Sequence, residues 1–249
     1  MMKLSTSIRC MHVANVTSRG VIVNTFPELD GEKSPKISAD KVIGWLDMCK
    51  EDNSVVSVGF GSQINLTGTQ MEALVNALDE SEVWFVWAIK KPMKGVLQMG
   101  ETDDTSMVPT WFEDRTARTG LVFRGWVPQV AIFRHRTVGS YFTHCGWNSM
   151  LEGIFSGVLL LAWPIQADHF NNARLMVDKL GLAVQVCEGL STVPKLTELA
   201  KVLVESVGQT SPEMAHAMEL GKVALKSTSP GRSSHIALDA LVKDLSSTY

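Results

Sequence analysis

The sequence predicts an α/β fold in which helices cover a parallel sheet, and three observations carry that expectation. From Ser54 onward, short β-branched runs alternate with helical patterns, the rhythm of consecutive βα units. Several of those runs are apolar without alternation, as strands covered on both faces are. At 249 residues and 45% hydrophobic, the chain can bury a full core as one large α/β domain or two small ones.

Taken in order, the first fifty residues hold a short polar helix candidate, a strand from Gly20 to Thr25 and a Pro-, Gly- and Lys-rich connector through Asp40. They are too few to form a domain. Strands are then expected from Val55 to Val58, Val83 to Ile89, Gly120 to Phe123, Val138 to Thr143, Val158 to Trp163 and Ala183 to Val186, at least five of them in one sheet. Between the first two, Met71, Leu74, Val75 and Leu78 take the i, i+3, i+4, i+7 spacing of a buried helix stripe, with Thr67 as its N-cap. The stretch from Pro92 to Pro109, with Gly95, Gly100 and an acidic cluster, reads as a surface loop. The tail from Leu196 is helical in pattern, broken at Gln209 to Pro212 and at Ser229 to Gly231.

Charge excludes some partners. The formal net charge is −3 and the 23 basic residues form no block, so the clustered positive field that nucleic acid or an anionic membrane needs is missing. The longest apolar run, Val158 to Trp163, falls far short of the roughly 20 residues of a membrane span, and the first thirty residues lack the apolar stretch of a leader. A cytoplasmic protein is expected. Cys10, Cys49, Cys145 and Cys187 are scattered without a CxxC pair, which fits reduced thiols and neither a zinc site nor a disulfide framework.

Chemistry concentrates between Trp126 and His169. A nucleoside diphosphate needs backbone N–H groups, and a strand ending in a small-residue turn before a helix supplies them with the positive end of the helix dipole behind. Two such turns occur. Gly59-Phe60-Gly61-Ser62 follows the first strand, where a plain βα turn is the competing reading because the later glycine of the dinucleotide fingerprint is absent. His144-Cys145-Gly146-Trp147-Asn148-Ser149 follows the strand from Val138, with Asn148 or Ser149 as N-cap. Glu152 lies one turn further along that helix, placed to accept both hydroxyls of a ribose, although a solvated surface glutamate would look the same. Trp126 offers a flat platform for a base, Gln129 can reach base or ribose, and His144 can donate to a phosphate. Asp168 and His169, at a helix start after Trp163-Pro164, can bond sugar hydroxyls. His135, between Arg134 and Arg136, reads as a solvated helix end without a role.

The whole stretch from Trp126 to His169, with its WxPQ, HCGWNS, following glutamate, WP and closing Asp-His in register, resembles the signature box of plant secondary-product glycosyltransferases. These are UDP-sugar-dependent enzymes. Gly20 to Phe26 with Glu28-Leu29, Trp45-Leu46-Asp47 and Phe60 to Gln63 also resemble the family, and Leu159 is a feature shared with members of its flavonol-modifying branch. The resemblance implies the fold of a GT-B glycosyltransferase, two facing Rossmann-like domains with the donor held mainly by the C-terminal one. Residues 41–249 would be that C-terminal UDP-sugar-binding domain, and residues 1–40 a remnant of the N-terminal acceptor domain with a shortened linker. It further implies that Trp126 stacks on uracil, that Val127 contacts the base through its backbone, and that Gln129 and Glu152 hold the ribose. Ser62, His144, Asn148 and Ser149 would hold the diphosphate, with Trp147 in the same donor site. Trp163, Asp168 and His169 would face the sugar.

Three departures qualify the match. Leu159 stands where most members carry proline. His169 stands where glucose users usually carry glutamine; histidine accompanies galactose and also arabinose or rhamnose, so it argues against glucose without naming one sugar. Members are about twice this length, and the half without a counterpart here carries the acceptor pocket and the catalytic histidine; His12, the one histidine of the N-terminal stretch, lacks the family's surrounding pattern. The function expected is therefore the donor-binding half of inverting glycosyl transfer to a hydroxyl of a small molecule such as a flavonoid, with little turnover alone. The donor substrate is a UDP-sugar, no metal or other cofactor is expected, and a separate N-terminal half is a candidate partner. A non-catalytic nucleotide-sugar-binding module or a truncated gene product is the alternative.

Overall fold

The computed structural model describes residues 36–61, 64–89, 108–208 and 211–246. All of them lie in one unit, Lys36–Tyr249. The strand expected from Gly20, Cys10, His12, Ser62 and most of the loop expected between Pro92 and Pro109 fall outside the described residues.

In chain order the elements are α1 (Lys36–Met48), β1 (Val55–Gly59), α2 (Gly68–Ser81), β2 (Trp84–Ile89), α3 (Thr110–Thr116), β3 (Gly120–Arg124), α4 (Gln129–Phe133), β4 (Val138–Thr143), α5 (Trp147–Ser156), β5 (Leu159–Ala162), α6 (His169–Arg174), β6 (Ala183–Gln185), α7 (Leu196–Glu205), α8 (Pro212–Ser227) and α9 (Ser233–Ser246). A π-helical turn, Leu175–Lys179, continues α6. The six strands form one sheet in the order β3-β2-β1-β4-β5-β6, every neighbouring pair parallel. All six strands expected from Val55 onward are present, each within one residue of its expected ends. The strand order reverses between β1 and β4, so the loops after these two strands lead away from each other and leave a crevice at their C-terminal ends.

Side-chain alternation builds two cores from continuous apolar runs. Leu159 and Leu161, with Trp163 beyond the strand end, join Val56, Val58, Phe85 and Trp87 on one face; Leu160 and Ala162 join Tyr141 and Met150 on the other. Leu74 of α2, Phe112 of α3 and Leu203 of α7 cover the first face. Leu46 of α1, Phe133 of α4, Ile154 of α5 and Ala173 of α6 cover the second. The stripe Met71, Leu74, Val75 and Leu78 is buried as its spacing predicts. Thr67 caps α2 in a reciprocal box: its hydroxyl accepts from the Gln70 N–H, and the Gln70 side-chain oxygen accepts from the Thr67 N–H at 3.0 Å. Such a box contributes about 1 kcal/mol.

Local structure departs from the expected pattern at α1 and at His135, and α3 and α4 have no counterpart in it. α1 begins at Lys36, inside the expected connector. α3 and α4, of 7 and 5 residues, are too short to show a periodic stripe. α2 begins at Gly68, as its expected Thr67 cap requires, so the Gly59–Gly61 turn does not open directly onto a helix. His135 is not a solvated helix end: its Nδ1 bonds the Thr137 hydroxyl at 2.8 Å and its Nε2 bonds Asp47 Oδ1 at 3.1 Å, latching α1 to the start of β4. The tail breaks where expected, with Ser211 capping α8 and a turn at 228–232 before α9. Among the described residues no helix is long and apolar enough to cross a membrane.

Candidate functional site

A cleft of about 700 Å³ opens at the C-terminal ends of the strands, where the strand order reverses. Gly59 and Gly61 line it from β1, the segment from Trp126 to Ala131 from beyond β3, and Asn148, Ser149 and Glu152 from α5. The fold thus joins residues that are far apart in the chain. Among the described residues, Glu152 is the one acidic residue of the lining and Arg134 the one basic residue.

The helix start differs from the expected one. Gly146, extended at φ −64° and ψ 136°, is the N-cap of α5; neither Asn148 nor Ser149 caps it. The first helical bond runs from the Met150 N–H to the Gly146 carbonyl, 3.0 Å. The amides of Trp147, Asn148 and Ser149 therefore precede the helical ladder, with the positive end of the α5 dipole behind them. A glycine cap keeps those amides open, because residue 146 has no side-chain oxygen to compete for them.

Gln129 opens α4, and its side-chain amide donates to Glu152 Oε2 at 2.7 Å and to the Ser149 hydroxyl at 3.3 Å. The pair fixes the carboxylate across the cleft and leaves its other oxygen for a ligand. Trp126 is 49% exposed, presenting an indole that packing alone would have buried. Val127 is buried, and its carbonyl accepts from the Gln129 N–H at 2.9 Å.

His144 sits where the two turns meet. A Cβ on Gly61 would lie 2.7 Å from His144 Nε2, and one on Gly146 would lie 2.6 Å from the same atom, so only glycine fits at either place. Gly61 also has φ +69°, which an L side chain adopts at a cost. Between His144 and Gly146, Cys145 takes φ +68°; its N–H bonds the Thr143 hydroxyl at 3.2 Å and its carbonyl accepts from the Asn172 side chain at 3.1 Å. Burial pushes the Cys145 thiol up to about 12, which leaves it without nucleophilic or ligating character.

Asp168, His169 and Trp147 do not line the cleft but stand beside it. The His169 ring meets His144 edge to face, centroids 4.9 Å apart. It is buried, burial lowers its pKa below the ordinary value, and the adjacent Asp168 offsets part of that shift. Its Nδ1 accepts from the Gln166 N–H at 3.4 Å, which places the proton of the neutral ring on Nε2. Asp168 is exposed, and its carboxylate accepts from Asn172 at 2.9 Å. Asn172, four residues after Asp168, ties the Asp168 carboxylate to the turn before α5, a contact not assigned from the sequence.

Trp163 requires a correction. Its indole is fully buried against Phe60 and Phe142, with Nε1 donating to the Gly189 carbonyl at 3.3 Å, while its backbone N–H bonds the Thr143 carbonyl at 2.9 Å. The side chain belongs to the core and presents nothing to a sugar. Ser62 lies outside the described residues.

Comparison with known proteins follows the same lines. Residues 46–214 match the family described as UDP-glucoronosyl and UDP-glucosyl transferase. A flavonol 7-O-rhamnosyltransferase of Arabidopsis thaliana is 49% identical over 205 residues, covering 82% of this chain and 47% of that protein. A flavonol 3-O-glucosyltransferase of the same plant is 46% identical, covering 83% and 42%. Among solved structures, Arabidopsis thaliana UGT89C1 complexed with UDP-L-rhamnose superposes with a TM-score of 0.74 at 47% identity, covering 86% of this chain and 48% of that one. Medicago truncatula UGT71G1 complexed with UDP-glucose gives 0.73 at 28% identity, covering 87% and 46%. The chain spans about half the length of the curated relatives it matches.

Proposed function

Since this chain belongs to the UDP-glucoronosyl and UDP-glucosyl transferase family, we propose that its cleft binds the UDP part of a UDP-sugar and supplies the donor half of glycosyl transfer to a hydroxyl of a small-molecule acceptor of the flavonoid class. The observation that carries this reading is the cleft itself: an exposed indole, a carboxylate held by Gln129 and a helix start with free amides converge where the sheet order reverses.

In this reading uracil stacks on Trp126 and meets the backbone at Val127. The ribose hydroxyls bond Glu152 and Gln129. The diphosphate lies at the start of α5 on the amides of Trp147, Asn148 and Ser149, with His144 beside it, and the sugar extends toward Asp168 and His169. Transfer breaks the bond between the anomeric carbon and the diphosphate oxygen as the acceptor oxygen attacks from the opposite face. The leaving UDP takes up negative charge at the α5 amides, which are positioned before the reaction begins. The acceptor proton requires a base, and we assign no described residue to that task. A separate N-terminal half as partner, and a cytoplasmic location, belong to the same proposal.

Calorimetric titration of the purified chain with UDP, UDP-glucose, UDP-galactose, UDP-rhamnose and GDP tests the reading. UDP and at least one UDP-sugar are expected to bind, and GDP is expected to bind at least tenfold more weakly because a purine does not fit the same platform and backbone contacts (about 1.4 kcal/mol). Equal binding of UDP and GDP would remove the base site from the account, and a folded chain that binds neither would remove the donor site.

A further inference from the structure

One side chain of α6 reaches two turns at once. Asn172 is half-buried, and its Nδ2 donates to Asp168 Oδ2 at 2.9 Å and to the Cys145 carbonyl at 3.1 Å. A carboxylate and a carbonyl are both acceptors, so the amide nitrogen has to face them and both of its protons are engaged. The Asp168 bond is the ordinary i, i+4 pair of a helix face. The Cys145 bond, 27 residues away in the chain, is not. Both partners stand at strained backbone. Among the described residues four other than glycine have positive φ; Asn53 lies in a turn and Glu82 at a helix end. The remaining two are Cys145 (φ +68°), which Asn172 holds, and Ala167 (φ +52°), which directly precedes Asp168. Such a conformation is costly for an L residue and persists only where its surroundings hold it.

From this geometry we infer that Asn172 is a positioning residue for the donor: one amide holds both the carboxylate beside the sugar and the peptide that leads into the diphosphate amides. The Cys145–Gly146 peptide is trans and planar, so a carbonyl fixed toward α6 fixes the Gly146 N–H in the opposite direction, away from α6. That N–H stands first in the series continued by Trp147, Asn148 and Ser149. The other end of Cys145 is held too, its N–H on the Thr143 hydroxyl, so the left-handed turn is clamped on both sides. At Asp168 the amide takes Oδ2 and leaves Oδ1 to a sugar hydroxyl. Asn172 thus acts through two other groups, setting the distance between the sugar end and the diphosphate end of the site.

This inference rests on the proposed reading of the cleft as a UDP-sugar site. The test is calorimetry with UDP and with the tightest-bound of UDP-glucose, UDP-galactose and UDP-rhamnose. Asn172→Ala should weaken UDP about threefold, through the turn, and the UDP-sugar about tenfold, through the turn and Asp168 together. A role confined to packing would lower both affinities equally. In an Asp168→Ala background the extra loss for the UDP-sugar should vanish, so that Asn172→Ala weakens both ligands by the same factor of about three. Asn172→Asp keeps the size of the side chain and removes both donors, so it should reproduce the losses even if the alanine variant folds poorly. Equal losses for the two ligands in Asn172→Ala and Asn172→Asp, or unchanged affinities in both, would overturn the inference while leaving the UDP site standing. A sugar-specific loss that survives in the Asp168→Ala background would do the same, as would a wild-type chain that binds UDP and none of the three UDP-sugars. A folded wild-type chain that binds no UDP would overturn the site itself.

Discussion

The Gln129 amide and the Glu152 carboxylate meet at 2.7 Å across the cleft, one from the first residue of α4 and the other from the second turn of α5. Neither helix fixes this pair alone. It exists because β3 and β4 deliver their following loops to the same end of the sheet, and it presents a preoriented carboxylate to whatever enters.

Replacing Glu152 with Ala is therefore predicted to weaken UDP binding by about 10- to 100-fold, the effect of losing hydrogen bonds to a charged group. Glu152→Gln should lose less, because its amide oxygen still accepts. Calorimetric titration of both variants checks the order, and equal affinities for wild type and Glu152→Ala would show that the carboxylate touches no ligand.

Trp126 should behave differently from the core tryptophans. With 49% of its surface exposed, Trp126→Ala should leave the denaturation midpoint nearly unchanged while reducing affinity for UDP and for uridine alike. Loss of base stacking is expected to remove about 1–3 kcal/mol of binding. A variant that loses stability and keeps full affinity would reassign the indole to packing.

Trp163 is the reverse case. Trp163→Ala removes a fully buried side chain and should destabilise the fold by about 3–5 kcal/mol in chemical denaturation. Trp163→Phe should recover much of that stability and bind UDP-sugars within about twofold of wild type. A selective loss of UDP-sugar affinity relative to UDP in Trp163→Phe would return the indole to the sugar site.

His169 predicts a pH effect with a definite sign. Its folded-state pKa is depressed below 6.5 because burial disfavours the cation. Below about pH 6.5 the unfolded chain then binds more protons at this site than the folded chain does, so the stability present above that pH is lost as pH falls toward the folded pKa. His169→Gln should flatten the fall in stability between about pH 7 and pH 5 relative to wild type. Parallel curves for the two proteins would show that His169 has an unperturbed pKa.

The sheet was legible because parallel strands buried on both faces must be continuously apolar, as Leu159–Ala162 is. The stripe of α2 and its Thr67 cap were legible for the same kind of reason, since spacing and capping chemistry are local. α1 was hidden by the connector composition before it, and α3 and α4 by their brevity. At the site, the signature residues Trp126, Gln129, Asn148, Ser149 and Glu152 do converge on one cleft. The helix cap was misplaced because polar side chains look like caps, whereas here Gly146 leaves the amides open. The alternation that puts Leu159 and Leu161 on the first face also carries Trp163 into that core, a signal available in the spacing. Asn172 shows locally only its i, i+4 spacing to Asp168; its bond to the Cys145 carbonyl, 27 residues away in the chain, left no local trace.

The most direct test of the account is a crystal structure of the chain with UDP. It should show uracil on the Trp126 indole, ribose oxygens at Glu152, and phosphate oxygens within hydrogen-bonding distance of the Trp147, Asn148 and Ser149 amides. UDP lodged elsewhere, for example in the smaller groove lined by Arg136, Phe155 and Lys222 at the other end of α5, would contradict it.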